Sequence, residues 1–464
     1  MRIPIVLCIA SLLLSTAGQS QSLESVIIDE MFYQDIPGLS AIVVNRGGLM
    51  WSGSFGMADL AAVEPVNDST AFMVASVSKL FTAMAAMRLT EEGIWNYNDP
   101  ANDYLPFELL HPDYPGTQIT IDMLMTHSSG IEDNWAAMNF FYNDFGDPLE
   151  SLGSCVSNYF DSTGLHYDAE DNFYSYEPGT AYNYSNMGFA LLGYLVESAS
   201  AEPFNFYSEG EHLEKLCMEN TGWFLADLDE SRVAHPHVFS GGSMQPIDHF
   251  GFCDYPDGQL RASIRDLGNF MIAVLNEGEI GQTQVFEPTT LEFSMSPRIP
   301  AIEPSQGFGW YRDFVNGEEV WGHNGGETGT SADVWFDMDD EIAIAVLSNA
   351  SVWHQPILNA LHDYGLNFSG ATSPVDCGSD VVDFAPDATS LDFSIYPNPS
   401  RGLLQVSAPQ PARVEVFDPL GRLVWSSQLG TTTQIDLGDL EAGMYQVKLS
   451  TEKAAASRAL LLSD

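Results

Sequence analysis

The run Ser76-Val77-Ser78-Lys79 carries the first chemical signal, a hydroxyl and an amine three positions apart. On a helix that is one turn, so both side chains leave the same face. A serine hydroxyl is a poor nucleophile until a base takes its proton. A lysine held in apolar surroundings has its pKa lowered enough to be that base. A helix N-terminus at Ser76 adds positive potential where an oxyanion would form. The second group is Tyr184-Ser185-Asn186. A phenol near an ammonium relays protons, and an amide both donates and accepts. The third is Trp321-Gly322-His323-Asn324-Gly325-Gly326, whose glycines allow the close approach that an oxyanion-hole amide requires. Each group also has a plain structural reading: an N-cap serine, a core tyrosine with a capping asparagine, and a hairpin turn with an incidental histidine. Taken singly, the first two are better explained that way. Ser450-Thr451-Glu452-Lys453 repeats the Ser-x-x-Lys spacing, but after a strand pattern and beside no apolar helix.

The elements that must position these groups are legible around them. Val77, Leu80, Phe81, Met84 and Ala85 recur at helical spacing, and Glu91-Glu92-Gly93 reads as the helix end. Glu177-Pro178-Gly179 punctuates the chain before Tyr184, and Phe189, Leu191, Leu192 and Leu195 follow as a buried helix. After the histidine, Ala332 to Phe336 alternates polar and apolar and Ile342 to Leu347 is continuously apolar, which predicts adjacent strands. Helical and strand-like segments alternate from Ser22 to Phe368, as in a mixed α/β enzyme.

In this order, Ser-x-x-Lys, Tyr-x-Asn and His-x-Gly resemble the class C β-lactamase and serine DD-peptidase family with its esterase-like relatives. Supporting segments are Phe72-Met73-Val74-Ala75-Ser76, Asn98-Asp99-Pro100 with Tyr104-Leu105-Pro106, and Met123-Leu124-Met125-Thr126-His127-Ser128-Ser129-Gly130. The resemblance implies an α+β fold, a helical subdomain packed on an antiparallel sheet flanked by helices, with the site at their junction. It implies that Ser76 attacks an amide, ester or lactam carbonyl, that Lys79 with Tyr184 moves the proton, and that water clears the acyl-enzyme. Asn186, His323, Asn324 and Gly325 would contact substrate, and the backbone N–H groups of Ser76 and Gly326 would form the oxyanion hole. No metal and no cofactor is implied. His323 stands where these β-lactamases usually carry Lys, and Asn324 where they carry Thr or Ser. A permanent cation is thereby replaced by a group expected to titrate near neutral pH. Relatives with His here resemble carboxypeptidases, D-amino-acid peptidases and esterases, which disfavours a dedicated β-lactamase. The alternative is a non-catalytic or slow-turnover binder of penicillin or peptidoglycan fragments.

The chain has 464 residues, with 64 Asp+Glu against 16 Lys+Arg and a net charge of −48. That length suits two or three domains. Such acidity excludes a nucleic-acid partner and an anionic membrane surface, since nothing would neutralise phosphate. The α/β-hydrolase elbow Gly-x-Ser-x-Gly is absent, with Gly241-Gly242-Ser243-Met244-Gln245 the nearest miss. His235-Pro236-His237 lacks a third ligand at a recognised spacing, and there is no Walker loop or Gly-x-Gly-x-x-Gly after a strand. His127, beside Ser128, reads as structural.

Met1-Arg2, the apolar run from Ile3 to Leu14, and Ser15-Thr16-Ala17-Gly18-Gln19 read as a signal peptide over 1–20, too short to span a bilayer. Cys155, Cys217, Cys253 and Cys377 remain after its removal and allow two disulfides in three connectivities, or simple buried thiols. A hydrolase domain over 22–368 and a Ser-, Asp- and Pro-rich linker over 369–390 precede a β-sandwich over 391–464. Period-two runs at 403–406, 412–416, 423–425 and 445–449 mark that sandwich. Tyr396-Pro397-Asn398-Pro399, Gly402, Val416-Phe417-Asp418 with Gly421, and Gly443-Met444-Tyr445 resemble the type IX secretion system sorting domain. That resemblance implies passage through the periplasm to the cell surface or medium, with the secretion machinery as partner besides a small-molecule or peptide substrate. A carbohydrate- or protein-binding β-module is the alternative for this tail.

Overall fold

A computed structural model describes residues 22–373 and, between 393 and 462, all but 397–399, 409, 418–422, 439, 441–442 and 452–454. The stretch read as a signal peptide, the expected linker beyond residue 373, Cys377, Asn398-Pro399 and Asp418 to Gly421 lie outside the described residues. No helix among the described residues is long and apolar enough to cross a membrane.

One antiparallel sheet organises the catalytic region. Its strands are β1 (Gly38–Asn45), β2 (Gly48–Asp59), β3 (Glu64–Pro65), β4 (Tyr311–Val315), β5 (Glu318–Glu327), β6 (Thr330–Asp337) and β7 (Ile342–Ser348). Their order is β4-β5-β6-β7-β1-β2-β3. β1 reads as a near-continuous apolar run because both faces are covered. Leu39, Ala41 and Val43 face a core shared with α1 (Leu23–Tyr33) and α6 (Gln355–Asn367). Ile42 and Val44 face the larger core, shared with α5 (Ile264–Leu275) and the helical subdomain.

Two helices of that larger core carry the site. α2 (Ser78–Glu91) is buried on nearly every side, which explains why its apolar residues do not form a single stripe. It ends as the sequence predicts, with Gly93 at φ +71° and the Ile94 N–H donating to the Leu89 carbonyl. α4 (Asn186–Ser200) packs against it and is capped by Ser185, whose Oγ accepts from the Gly188 N–H at 2.9 Å. A disulfide joins Cys155 on α3 (Leu152–Phe160) to Cys253, and Cys217 is also disulfide-bonded.

The tail forms two small antiparallel sheets around a core of its own. One takes β8 (Ser394–Tyr396), β9 (Leu403–Ser407) and β12 (Thr432–Asp436). The other takes β11 (Leu423–Leu429), β10 (Ala412–Phe417), β13 (Gly443–Ser450) and β14 (Ala455–Leu462) in that order.

Candidate active site

Ser76 sits on a single 3-10 turn, Ala75–Val77, immediately before α2. The chain reaches it through Ala75, which holds φ +46°, a region costly for a residue with a Cβ. Strand β5 presses against this turn from the other side. A Cβ on Gly325 would lie 2.2 Å from the Val74 carbonyl oxygen and 2.9 Å from the Ser76 nitrogen, so only glycine fits there. Gly326, next along, faces open space. Ser76 makes no cap bond to the start of α2; its Oγ accepts from Lys79 Nζ at 3.2 Å.

Lys79 is fully buried. Its Nζ also donates to Asn186 Oδ1 at 2.7 Å and to the Asp257 carbonyl at 2.6 Å, and lies 4.8 Å from the Tyr184 ring centroid. Burial lowers its pKa, and the nearby carboxylates of Asp257, Asp133, Asp254 and Glu327 pull the other way. Tyr184 keeps 37% of its surface open along the cleft, while its phenol hydrogen-bonds the Ser76 side chain. Burial raises the phenol pKa well above its usual value, so it stays protonated. His127 supports the ring from behind, stacked 4.3 Å from it, and accepts from the Ser185 N–H through Nδ1. Burial holds His127 well below the usual histidine range, which matches a structural residue.

Asn186, expected to meet substrate, also bonds inside the protein through both ends of its amide. Its oxygen holds Lys79, and its Nδ2 donates to Asp133 Oδ2 at 3.0 Å. Asp133 escaped the sequence reading. It accepts four hydrogen bonds, from Asn186 N and Nδ2 on one oxygen and from Ser185 Oγ and Met187 N on the other. It therefore pins the α4 N-terminus, where a carboxylate is favourable, and fixes which way the Asn186 amide points. Asp133 lies 53 residues before Asn186, so no spacing pattern links them. Asp254 and Asp257 were also missed. Asp254 caps and Asp257 ends a 3-10 turn beside Lys79; both are buried, and burial raises both pKa values, that of Asp254 to about 7.

A cavity of about 310 Å³ opens over Ser76. Tyr182, Tyr184, Gln306, Tyr311, His323 and Asn324 wall it, with Gly326 at its edge. Asn324 is held by the Tyr311 hydroxyl, which donates to Oδ1 at 2.8 Å. His323 corrects an expectation. Its ring is 3% exposed, and burial first, then the Lys79 charge, push its pKa down to about 3. Nδ1–H donates to the Asn324 carbonyl, so the neutral ring leaves Nε2 as an acceptor. His323 is not a group titrating near neutral pH. The cavity lining thus contains no charged residue, and Lys79, bonded to Ser76 Oγ, is not part of it.

The Beta-lactamase family matches residues 23–362. The chain belongs to this family. The secretion system C-terminal sorting domain matches residues 394–463, so the chain carries a type IX sorting tail, which marks it for the cell surface or beyond. Among curated relatives, protein flp of Staphylococcus aureus (strain MW2) is 23% identical over 346 residues, covering 74% of this chain. The match spans 66% of that relative, just under two thirds of its length. Penicillin-binding protein 4* of Bacillus subtilis (strain 168) is 25% identical, covering 75% of this chain and 76% of the relative. The fold is similar to that of a penicillin binding protein from Bacillus halodurans, with TM-score 0.59, 22% identity, and coverage of 74% of this chain and 99% of that one. An octameric penicillin-binding protein homologue from Pyrococcus abyssi also has TM-score 0.59, at 20% identity, with 95% and 96% covered.

Proposed function

We propose that the chain is a secreted serine hydrolase that acylates Ser76 and acts on esters or amides whose recognition needs no carboxylate. The observation that carries this reading is the buried Lys79 amine, 3.2 Å from Ser76 Oγ and held there by Asn186 and the Asp257 carbonyl. Desolvation favours the neutral amine, which takes the serine proton as Oγ attacks the carbonyl. Tyr184, protonated at rest, gives a proton to the leaving group and regains one from the Lys79 ammonium, so the serine proton ends on the leaving group. The Ser76 and Gly326 N–H groups receive the oxyanion in the gap between the 3-10 turn and β5. Water then adds to the acyl-enzyme, with the Lys79–Tyr184 pair as base, and Ser76 is regenerated.

The uncharged cavity supports the substrate side of this reading. A lactam or a peptide C-terminus brings a carboxylate, which is costly to desolvate without a cation. His323 is neutral, and Lys79 is committed to Ser76. Neutral esters and amides fit better than lactams. The sorting tail supports export through the type IX machinery, and in this reading the enzyme acts on external substrates. Intact-mass analysis after exposure to a fluorophosphonate and, separately, a penicillin tests the reading. The expected result is a stoichiometric fluorophosphonate adduct absent from Ser76→Ala, with slow or no penicillin adduct and turnover of a neutral aryl ester. A fast, persistent penicillin adduct without ester turnover would overturn the ester reading in favour of a penicillin binder.

A further inference from the structure

A second cavity, of about 300 Å³, opens at the far end of β5. Tyr142, Phe145, Ile247 and Phe250 line it together with Asp144 and Asp248, both exposed. It adjoins the catalytic cleft by direct structural links. Thr328, part of its lining, lies two residues beyond Gly326, which at strand rise is about 7 Å. The Tyr142 hydroxyl donates to Glu327 Oε2 at 3.0 Å, tying the aromatic wall to the end of β5. Tyr142 packs on Phe252 at 5.0 Å, and Met73, three residues before the nucleophile, backs the same apolar cluster. Strand β4 pairs with β5 only as far as Gly322, so His323–Glu327 keeps an open edge between the two cavities.

We propose that this second cavity is a substrate subsite for an apolar arm ending in a positive charge, such as an alkylammonium. The proposal deepens the hydrolase reading and rests on it. The two cavities differ where it matters: the first has no charged lining residue, whereas the second has two carboxylates and no base. Neither carboxylate has a hydrogen-bond or ion-pair partner among the described residues. Phe145 leaves 79% of its surface exposed, apolar area that a bound arm would cover. Aromatic faces beside carboxylates suit an ammonium on an apolar stem, through cation–π contact and charge pairing together. The net charge of −48 adds a field that attracts cations and repels anions at any site, so local recognition must be separated from it.

The test uses the full chain and three matched esters with an aromatic arm ending in an ammonium, a methyl or a carboxylate, in two series with the arm on the acyl or on the alcohol side. Hydrolysis is followed by proton release. The expected kcat/KM order in one of the series is ammonium, methyl, carboxylate, with at least about tenfold between the extremes, shrinking at high salt. Replacing both carboxylates, Asp144→Asn with Asp248→Asn, brings the ammonium and methyl esters to within about twofold. Phe145→Ala raises KM for every long-armed ester and leaves an armless acetate ester unchanged. An equal rate for all charges in both series, or an ammonium preference that survives the double Asn variant, overturns the subsite. A small fluorophosphonate runs alongside. If it labels Ser76 while the charge order is absent, the subsite alone falls; if it fails to label Ser76, the hydrolase reading falls and takes the subsite with it.

Discussion

The chain writes Ser-x-x-Lys twice, at Ser76–Lys79 and at Ser450–Lys453, and the two serines stand on different kinds of element. Ser76 and Lys79 occupy consecutive turns at the start of a buried helix, so three positions bring hydroxyl and amine to 3.2 Å. Ser450 ends strand β13, registered opposite Arg413 and Ala455, and Lys453 lies outside the described residues. Spacing becomes chemistry only on a helix, and only where burial takes the lysine out of water. Asn186, Asp133 and the Asp257 carbonyl then hold the amine on the serine.

That comparison can be broken or sharpened by substitution. The largest effect belongs to Ser76→Ala, expected to lower kcat by about 10⁴-fold or more. Ser450→Ala, the matching change in the tail, should stay within about twofold in the same assay. Lys79→Ala should cost about 10³-fold. Lys79→Arg should not restore activity, because a guanidinium cannot give up its proton. Equal activity of the Lys and Arg forms would sink the assignment of Lys79 as base. Asp133→Ala should lower kcat by about 10²-fold with little change in KM, since it frees the Asn186 amide and lets Lys79 drift. The same change removes four hydrogen bonds at the α4 N-terminus, so thermal melting should show a parallel loss.

Among the changes around Lys79, Asp254→Asn should have the smallest effect on catalysis, and its signature is in stability. Burial raises the Asp254 pKa from 3.8 to about 7. Between those values the folded protein keeps a proton that the unfolded chain has released. The stabilisation from that proton is complete below about pH 4 and lost as pH rises through 7. Denaturant melts should therefore find Asp254→Asn indistinguishable from the native protein at pH 4 and more stable at pH 8. The difference should reach up to a few kcal/mol, at about 1.4 kcal/mol per pKa unit. A constant difference across pH would show that Asp254 does not titrate between folded and unfolded states.

Much of the site was legible because its residues sit next to strong local signals. Ser76 precedes an apolar helix with a glycine stop, Tyr184 follows a Pro-Gly break, and His323 stands beside glycines and alternating strands. Order along the chain then turned three ambiguous groups into one family resemblance. Asp133 and the Asp254–Asp257 turn were not legible, because their partners are 53 and 178 residues away and only tertiary packing joins them. The protonation of His323 is not legible in the sequence for a related reason. A histidine reads as a near-neutral group until the ring is known to be 3% exposed and close to a lysine. In the tail, alternating patterns revealed four strands, while β8, β12 and β14 lacked so clear an alternation. The Cys155–Cys253 bond was one of several pairings the sequence left open.

The central claim is that Lys79, made a base by burial, activates Ser76. Its most direct measurement is the second-order rate of Ser76 modification by a small fluorophosphonate as a function of pH, in the native protein and in Asp257→Asn. Reaction needs the neutral amine, so the rate should rise with pH through one inflection below the ordinary lysine range. Asp257→Asn keeps the backbone carbonyl that holds Nζ but removes the carboxylate that raises the Lys79 pKa most, so the inflection should move to lower pH. An inflection in the ordinary lysine range, or one that stays put in Asp257→Asn and persists in Lys79→Ala, would contradict the account.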